Sequence, residues 1–161
     1  MSRHIPSILA LASVFVVASS LPARATGSVE VNWLHPEQYA DAGRSVVDRD
    51  RALQALGEYM GRLGQRLPDG QTLKLDVLDL DLAGEIEPYG RHGWNEVRIL
   101  RGGADWPRMK IRYTLSADGR TLQSGQANLA DMRYSMSTRE EELGYEKHMI
   151  DKWFKATFIK P

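Results

Sequence analysis

Residues 73–82 read LKLDVLDLDL. Leu73, Leu75 and Val77 share one parity of the chain, whereas Leu78, Leu80 and Leu82 share the other. Successive side chains of a strand point to opposite faces, so a period-2 pattern that changes phase implies an inserted residue or a strand covered on both faces. The first alternative is a β-bulge near Val77 and Leu78, and it turns Lys74, Asp76, Asp79 and Asp81 together onto the outer face.

The neighbouring segments fit around this strand. Upstream, Val29, Val31 and Trp33 alternate with Glu30 and Asn32, the pattern of a half-buried strand that ends at His35-Pro36. A polar stretch from residue 37 to 44 reads as a loop. Leu53, Leu56, Met60, Leu63 and Leu67 then fall on one helical arc, opened by a capping box at Ser45 and Asp48 or by a cap at Asp48 or Asp50, and stopped by Pro68-Asp69-Gly70. Gly57, Gly61 and Gly64 lie on or beside that arc. Each costs about 1 kcal/mol of helix propensity, so close tertiary packing must hold the helix.

Downstream, residues 85–96 read as a polar, aromatic and glycine-rich loop, and Val97 and Ile99 as a short strand. Gly102-Gly103 and Trp106-Pro107 mark a second loop. Met109, Ile111, Tyr113 and Leu115 alternate with polar residues, and Asp118-Gly119 turns this strand into a partner over 121–129 that is polar on both faces, as an edge strand is. The last segment is a helix with Leu143, Ile150, Trp153 and Phe154 on its apolar face. Its expected start is a capping box, Ser137 with Glu140 or Thr138 with Glu141. The order β-α-β-β-β-β-α predicts an α+β fold, a mainly antiparallel sheet of about five strands with two helices packed on it.

The N-terminus carries a different message. Arg3 and His4 precede an apolar run through residue 21, and Ala23-Arg24-Ala25 places small residues at −3 and −1 of a cleavage site. Residues 1–25 therefore read as a cleavable signal peptide cut after Ala25, and residues 26–161 as one exported domain. The run is too short and too broken by Ser13, Ser19 and Ser20 for a membrane anchor. No membrane span is expected after cleavage. Without residues 1–25 the chain holds 19 basic and 21 acidic side chains, which argues against a nucleic-acid partner. Cysteine is absent, which removes disulfides, thiol nucleophiles, thiolate metal sites and lipid attachment.

Candidate chemistry is sparse. Asp76, Asp79, Asp81, Glu85 and Glu87 could hold a cation or an acid–base pair, but cross-strand pairing with Arg98, Lys110 and Arg112 explains the stripe without a ligand. His35, His92 and His148 lack any metal-ligand spacing, and no Gly-x-Ser-x-Gly elbow exists, so neither a metal, a cofactor nor a catalytic residue is assigned. Tyr89, His92 and Trp94, with Trp106 from the next loop, suit a recognition surface, because aromatic rings on loops offer large contact area at low entropic cost. Asp79, Asp81, Glu85, Tyr89, Arg91, His92, Trp94 and Trp106 are accordingly the ligand-binding candidates. Glu146 falls between Leu143 and Ile150 on an apolar helix face, where a carboxylate needs a partner; an arginine on the sheet is the expected one, and a catalytic acid the sharper alternative.

Residues 29–43 (VEVNWLHPEQYADAG), 78–87 (LDLDLAGEIE) and 144–158 (GYEKHMIDKWFKATF) together resemble the proteobacterial family known as domain of unknown function 3016. Asp-Leu-Ala-Gly and Tyr-Glu-Lys…Asp-Lys-Trp-Phe are the most specific parts. The resemblance implies a small exported envelope protein, hence a periplasmic one, and carries over no activity and no site residue. The expected role is a non-catalytic domain that binds an envelope protein or ligand through the 85–107 loops. Two other classes are a carboxylate-based hydrolase of envelope glycans, using two among Asp79, Asp81, Glu85 and Glu146, and an envelope assembly factor pairing through the edge strand.

Overall fold

The computed structural model describes residues 26–89, 95–136 and 141–159. The expected signal peptide, the Ser137/Glu140 pair, Arg91, His92 and Trp94 lie outside the described residues. β1 (Ser28–Trp33) leads through α1 (Val46–Leu63) to β2 (Gln71–Asp81). β3 (Glu85–Tyr89), β4 (Asn95–Ile99), β5 (Arg108–Ala117), β6 (Arg120–Ala130) and α2 (Gly144–Phe158) follow. The fold is α+β, as its sequence pattern predicts.

The strands divide into a four-stranded sheet, in the order β1-β2-β5-β6, and a separate two-stranded ribbon, β3-β4. Two details depart from the sequence expectation. β1 and β2 run parallel, which requires a crossover, and α1 supplies it. Residues 85–89 form a strand where a loop is expected, because β3 pairs with β4 instead of joining the main sheet.

The bulge in β2 exists. Its register against β5 shifts between Val77 and Asp79, so Leu78 is the inserted residue. Leu73, Leu75 and Val77 before it, and Leu80 after it, are buried on the inner face. A strand with strict alternation could not bury both sets on one side. Leu53, Leu56 and Met60 of α1 and Met149, Ile150 and Phe154 of α2 meet them there in one core.

Local chemistry accounts for the ends of these elements. Ser45 Oγ accepts the Asp48 N–H at 3.1 Å, closing the expected cap of α1. Of the three helix glycines, Gly64 is the one that packing requires: a Cβ there would lie 2.8 Å from Ser28 Cα, whereas Gly61 meets nothing within 4 Å. The β5-β6 turn is Asp118-Gly119, both at positive φ. α2 departs from expectation. It begins at Gly144 behind Leu143 in the left-handed region; Thr138 of the second expected box lies outside the described residues, and Glu141 accepts from Lys147 Nζ at 3.2 Å.

Candidate functional site

The β3-β4 ribbon leaves the body at Ala83 and Gly84, and several chain segments converge on that junction. Gly84 has φ +83, and a Cβ would sit 2.6 Å from the Ile99 carbonyl oxygen, so the tight exit from β2 requires glycine. Just beyond the end of β1, Asp41 bridges to Asp81 in parallel, donating its N–H to Leu80 O and accepting the Leu82 N–H. That backbone pairing aims the Asp41 side chain at the ribbon.

Arg98 on β4 is the ribbon's main anchor. Its guanidinium pairs bidentately with Asp41, both bonds at 2.8 Å, and also donates to Ala83 O at 3.3 Å and Gly84 O at 3.1 Å. A planar fork of five donors is what this combination of a carboxylate and two carbonyls demands; a lysine could not meet it. Arg44 adds a second anchor through its 2.6 Å bond to Glu96 O. Arg101 pairs with Glu87, and the Gly84 N–H donates to Asp105 O at 2.8 Å.

Glu146 completes the junction. It is the buried charged side chain among the described residues, at 2 % exposure. Its Oε1 accepts the Ala83 N–H at 2.7 Å. Its expected partner, an arginine of the sheet, is therefore replaced by a backbone amide; Arg98 lies close enough to act on its charge but spends its donors on Asp41 and the carbonyls. Burial pushes the Glu146 carboxyl above the usual carboxylate range, against the opposing pull of the Ala83 amide. The Ala83 N–H is thus held by α2, the Gly84 N–H by the Asp105 carbonyl, and both carbonyls by Arg98 of β4. The three segments that carry the family resemblance meet at this point, through Asp41, Ala83 and Glu146.

Two open grooves flank the ribbon's seat. One, about 340 Å³, is lined by Arg44, Arg51, Leu82, Val97, Arg98 and Leu143 among others. The second, about 590 Å³, lies against Tyr39, Arg44, Val46, Arg49 and Ile86. Apolar side chains stand exposed around them: Tyr89 at 67 %, Val46, Val97 and Leu100.

The acidic stripe behaves as a paired sheet face. Asp76 is held by Asn32 at 2.9 Å and Arg112 at 3.1 Å, and these contacts keep its carboxyl below the usual range. Asp81 pairs with Arg108 at 2.9 Å, although burial, against that guanidinium, leaves its carboxyl raised. Asp79 Oδ1 accepts the Ala40 and Leu80 amides, both at 3.0 Å. Glu85 is exposed beside Ile99 on the ribbon. Asp79 lines a groove with His35 and Lys110, and Glu146 a different one with Tyr145 and Leu100, so these two carboxylates do not share a cleft. Among the described residues no three His, Asp or Glu side chains are placed to hold a metal. Trp106 is half-buried, with the Arg108 guanidinium 4.7 Å above its ring.

Asp41 and Arg44 escape sequence reasoning, because neither sits on a periodic element. Arg98 is visible only as a cation assumed to serve the acidic stripe. The clearest available signal is Ala83-Gly84 directly after a strand, which marks a sharp exit.

These features define a class: a small α+β domain with a two-layer body and a polar-anchored ribbon beside two open grooves. A family model described as protein of unknown function (DUF3016) matches residues 27–156, and the chain belongs to that family. Comparison with curated proteins and with solved structures gives no match.

Proposed function

We propose that this is an exported periplasmic protein without catalytic activity, which binds an envelope protein or ligand at the β3-β4 ribbon and the grooves beside it. The observation that carries this reading is the ribbon itself. It is a sheet of its own, none of its described side chains is fully buried, and Tyr89 and Val97 stand exposed on it. Stability alone does not call for such an appendage, since a lone two-stranded ribbon is marginal in water. The network of Arg98, Asp41 and Glu146 presents it in one orientation, and a preorganised surface binds at lower entropic cost. The absence of disulfide chemistry is compatible with export, because the core is large enough to hold the domain. Export is supported by the signal-peptide pattern and by a family match that begins at residue 27, just past the expected cut.

Two measurements test the reading. Protein recovered from the periplasm should begin at Thr26; an intact Met1 on cytoplasmic protein contradicts export. Replacing the exposed Tyr89 and Val97 together with alanine should leave the melting temperature unchanged and weaken capture of the envelope partner by about tenfold or more. Undiminished capture by the double variant rules out the ribbon as the surface.

A further inference from the structure

The geometry points to β6 as a self-pairing edge, along which two copies of this chain join antiparallel into one continuous sheet. β6 spans eleven residues, Arg120–Ala130, and pairs only with β5 among the described residues. Its outer edge offers a row of backbone N–H and C=O groups. Proteins normally blunt such an edge with lysine, proline, inward charges or short length. Residues 121–130, TLQSGQANLA, contain no charged residue and no proline. The register break beside Leu115 disturbs one end only and leaves the run from Gln123 onward regular. The opposite edge of the same sheet contrasts with it: β1 has six residues, carries Glu30 and packs against α1.

The chemistry of the edge selects the occupant. Beyond Arg120 at its start, β6 offers a charged strand nothing to pair with. A second copy laid antiparallel about a two-fold axis near the midpoint brings no like charges together, and a two-fold contact requires this self-complementarity. An apolar flank beside the edge fits the same arrangement. Tyr113, Trp153 and Phe158 form an edge-to-face cluster with ring centroids 5.2–5.8 Å apart. Only Gly125 and Ala127 of β6 lie outboard of Tyr113 and Ile111 on that face. Leu122 is 54 % exposed and lines a groove of about 530 Å³ with Leu115, Phe158 and Ile159. A strand and helix added from a second copy would cover that flank.

Sedimentation velocity over a concentration series tests this on the chain from Thr26 onward, which contains the whole described core. The wild type should form a dimer. The double variant Ser124→Lys, Gln126→Lys sets like charges across the axis at exposed positions, so its dissociation constant should rise by about tenfold or more. Its melting at low concentration should be unchanged. Mixing it with Ser124→Glu, Gln126→Glu should restore a dimer containing one of each. A wild type that stays monomeric up to about 1 mM overturns the proposal. So does a dimer indifferent to the lysine pair, or a mixture that fails to re-form.

Discussion

The body and the ribbon of this domain are held by opposite means. In the body, Leu56, Leu73, Val77 and Leu80 have no exposed surface, and Phe154 is at 1 %. Strong, non-directional burial fixes the helices against the sheet. In the ribbon no described side chain is fully buried, and attachment comes from Arg98, Arg44 and Arg101 reaching carboxylates and backbone carbonyls. Directional contacts set orientation but contribute modestly to stability, about 0.5–1.5 kcal/mol for a neutral hydrogen bond and about 1.5–3 when one partner is charged. The domain can thus vary what the ribbon presents without re-engineering its core.

The comparison breaks hardest in the body. Phe154→Ala removes a ring that packs against Phe158 and lies beneath the Arg66 guanidinium, and should cost about 3–5 kcal/mol in denaturant unfolding. Ribbon and sheet should then unfold together. A loss under about 1 kcal/mol would show the site to be far less well packed than its burial implies.

Glu146 lies between the two regions and should give an intermediate effect. Glu146→Ala leaves the Ala83 N–H without an acceptor and should cost about 1–3 kcal/mol. Glu146→Gln keeps an acceptor oxygen and removes the charge. Because burial raises this carboxyl in the folded state, the fold holds its proton more tightly than the unfolded chain does. Its ionisation therefore costs stability, which is gained as pH falls toward the ordinary value of 4.5 and lost as pH rises above it. Asp76, and Asp151 held by Lys155 and Arg66, work in the other direction: their lowered carboxyls contribute stability above the ordinary value of 3.8, and it is lost as pH falls from there through their lower folded values. Thermal melts of the Gln variant should show a flatter decline from pH 4.5 to neutrality than the wild type. Identical slopes would mean that Glu146 is not the titrating group.

How much of this was legible in the sequence follows from the same contrast. Burial leaves a periodic trace, so the phase change at Val77-Leu78 revealed the bulge, the Leu53–Met60 spacing revealed α1, and Asp118-Gly119 revealed the hairpin. Polar anchoring leaves none. Residues 85–89 hold two glutamates and a proline, so β3 read as loop; only its pairing with β4 makes it a strand. Glu146 stands out because it interrupts an apolar arc, yet its partner leaves no sign in the sequence. A backbone amide has no residue identity and cannot be read from a sequence. The parallel pairing of β1 with β2 was hidden for a related reason, since alternation reports which face is buried and not which way the neighbouring strand runs.

The most direct measurement is photocrosslinking from position 89, with arginine or alanine at position 98, alongside amide exchange on the same two proteins. With Arg98 present, position 89 should capture an envelope partner, and a probe at Asp118 on the far hairpin should not. Arg98→Ala should abolish that adduct and expose the β3-β4 amides to exchange, while β2 and β5 keep their protection. An undiminished adduct at position 89 in the Arg98→Ala protein, or capture at Asp118 but not at 89, would contradict a recognition surface set by the ribbon's polar anchors.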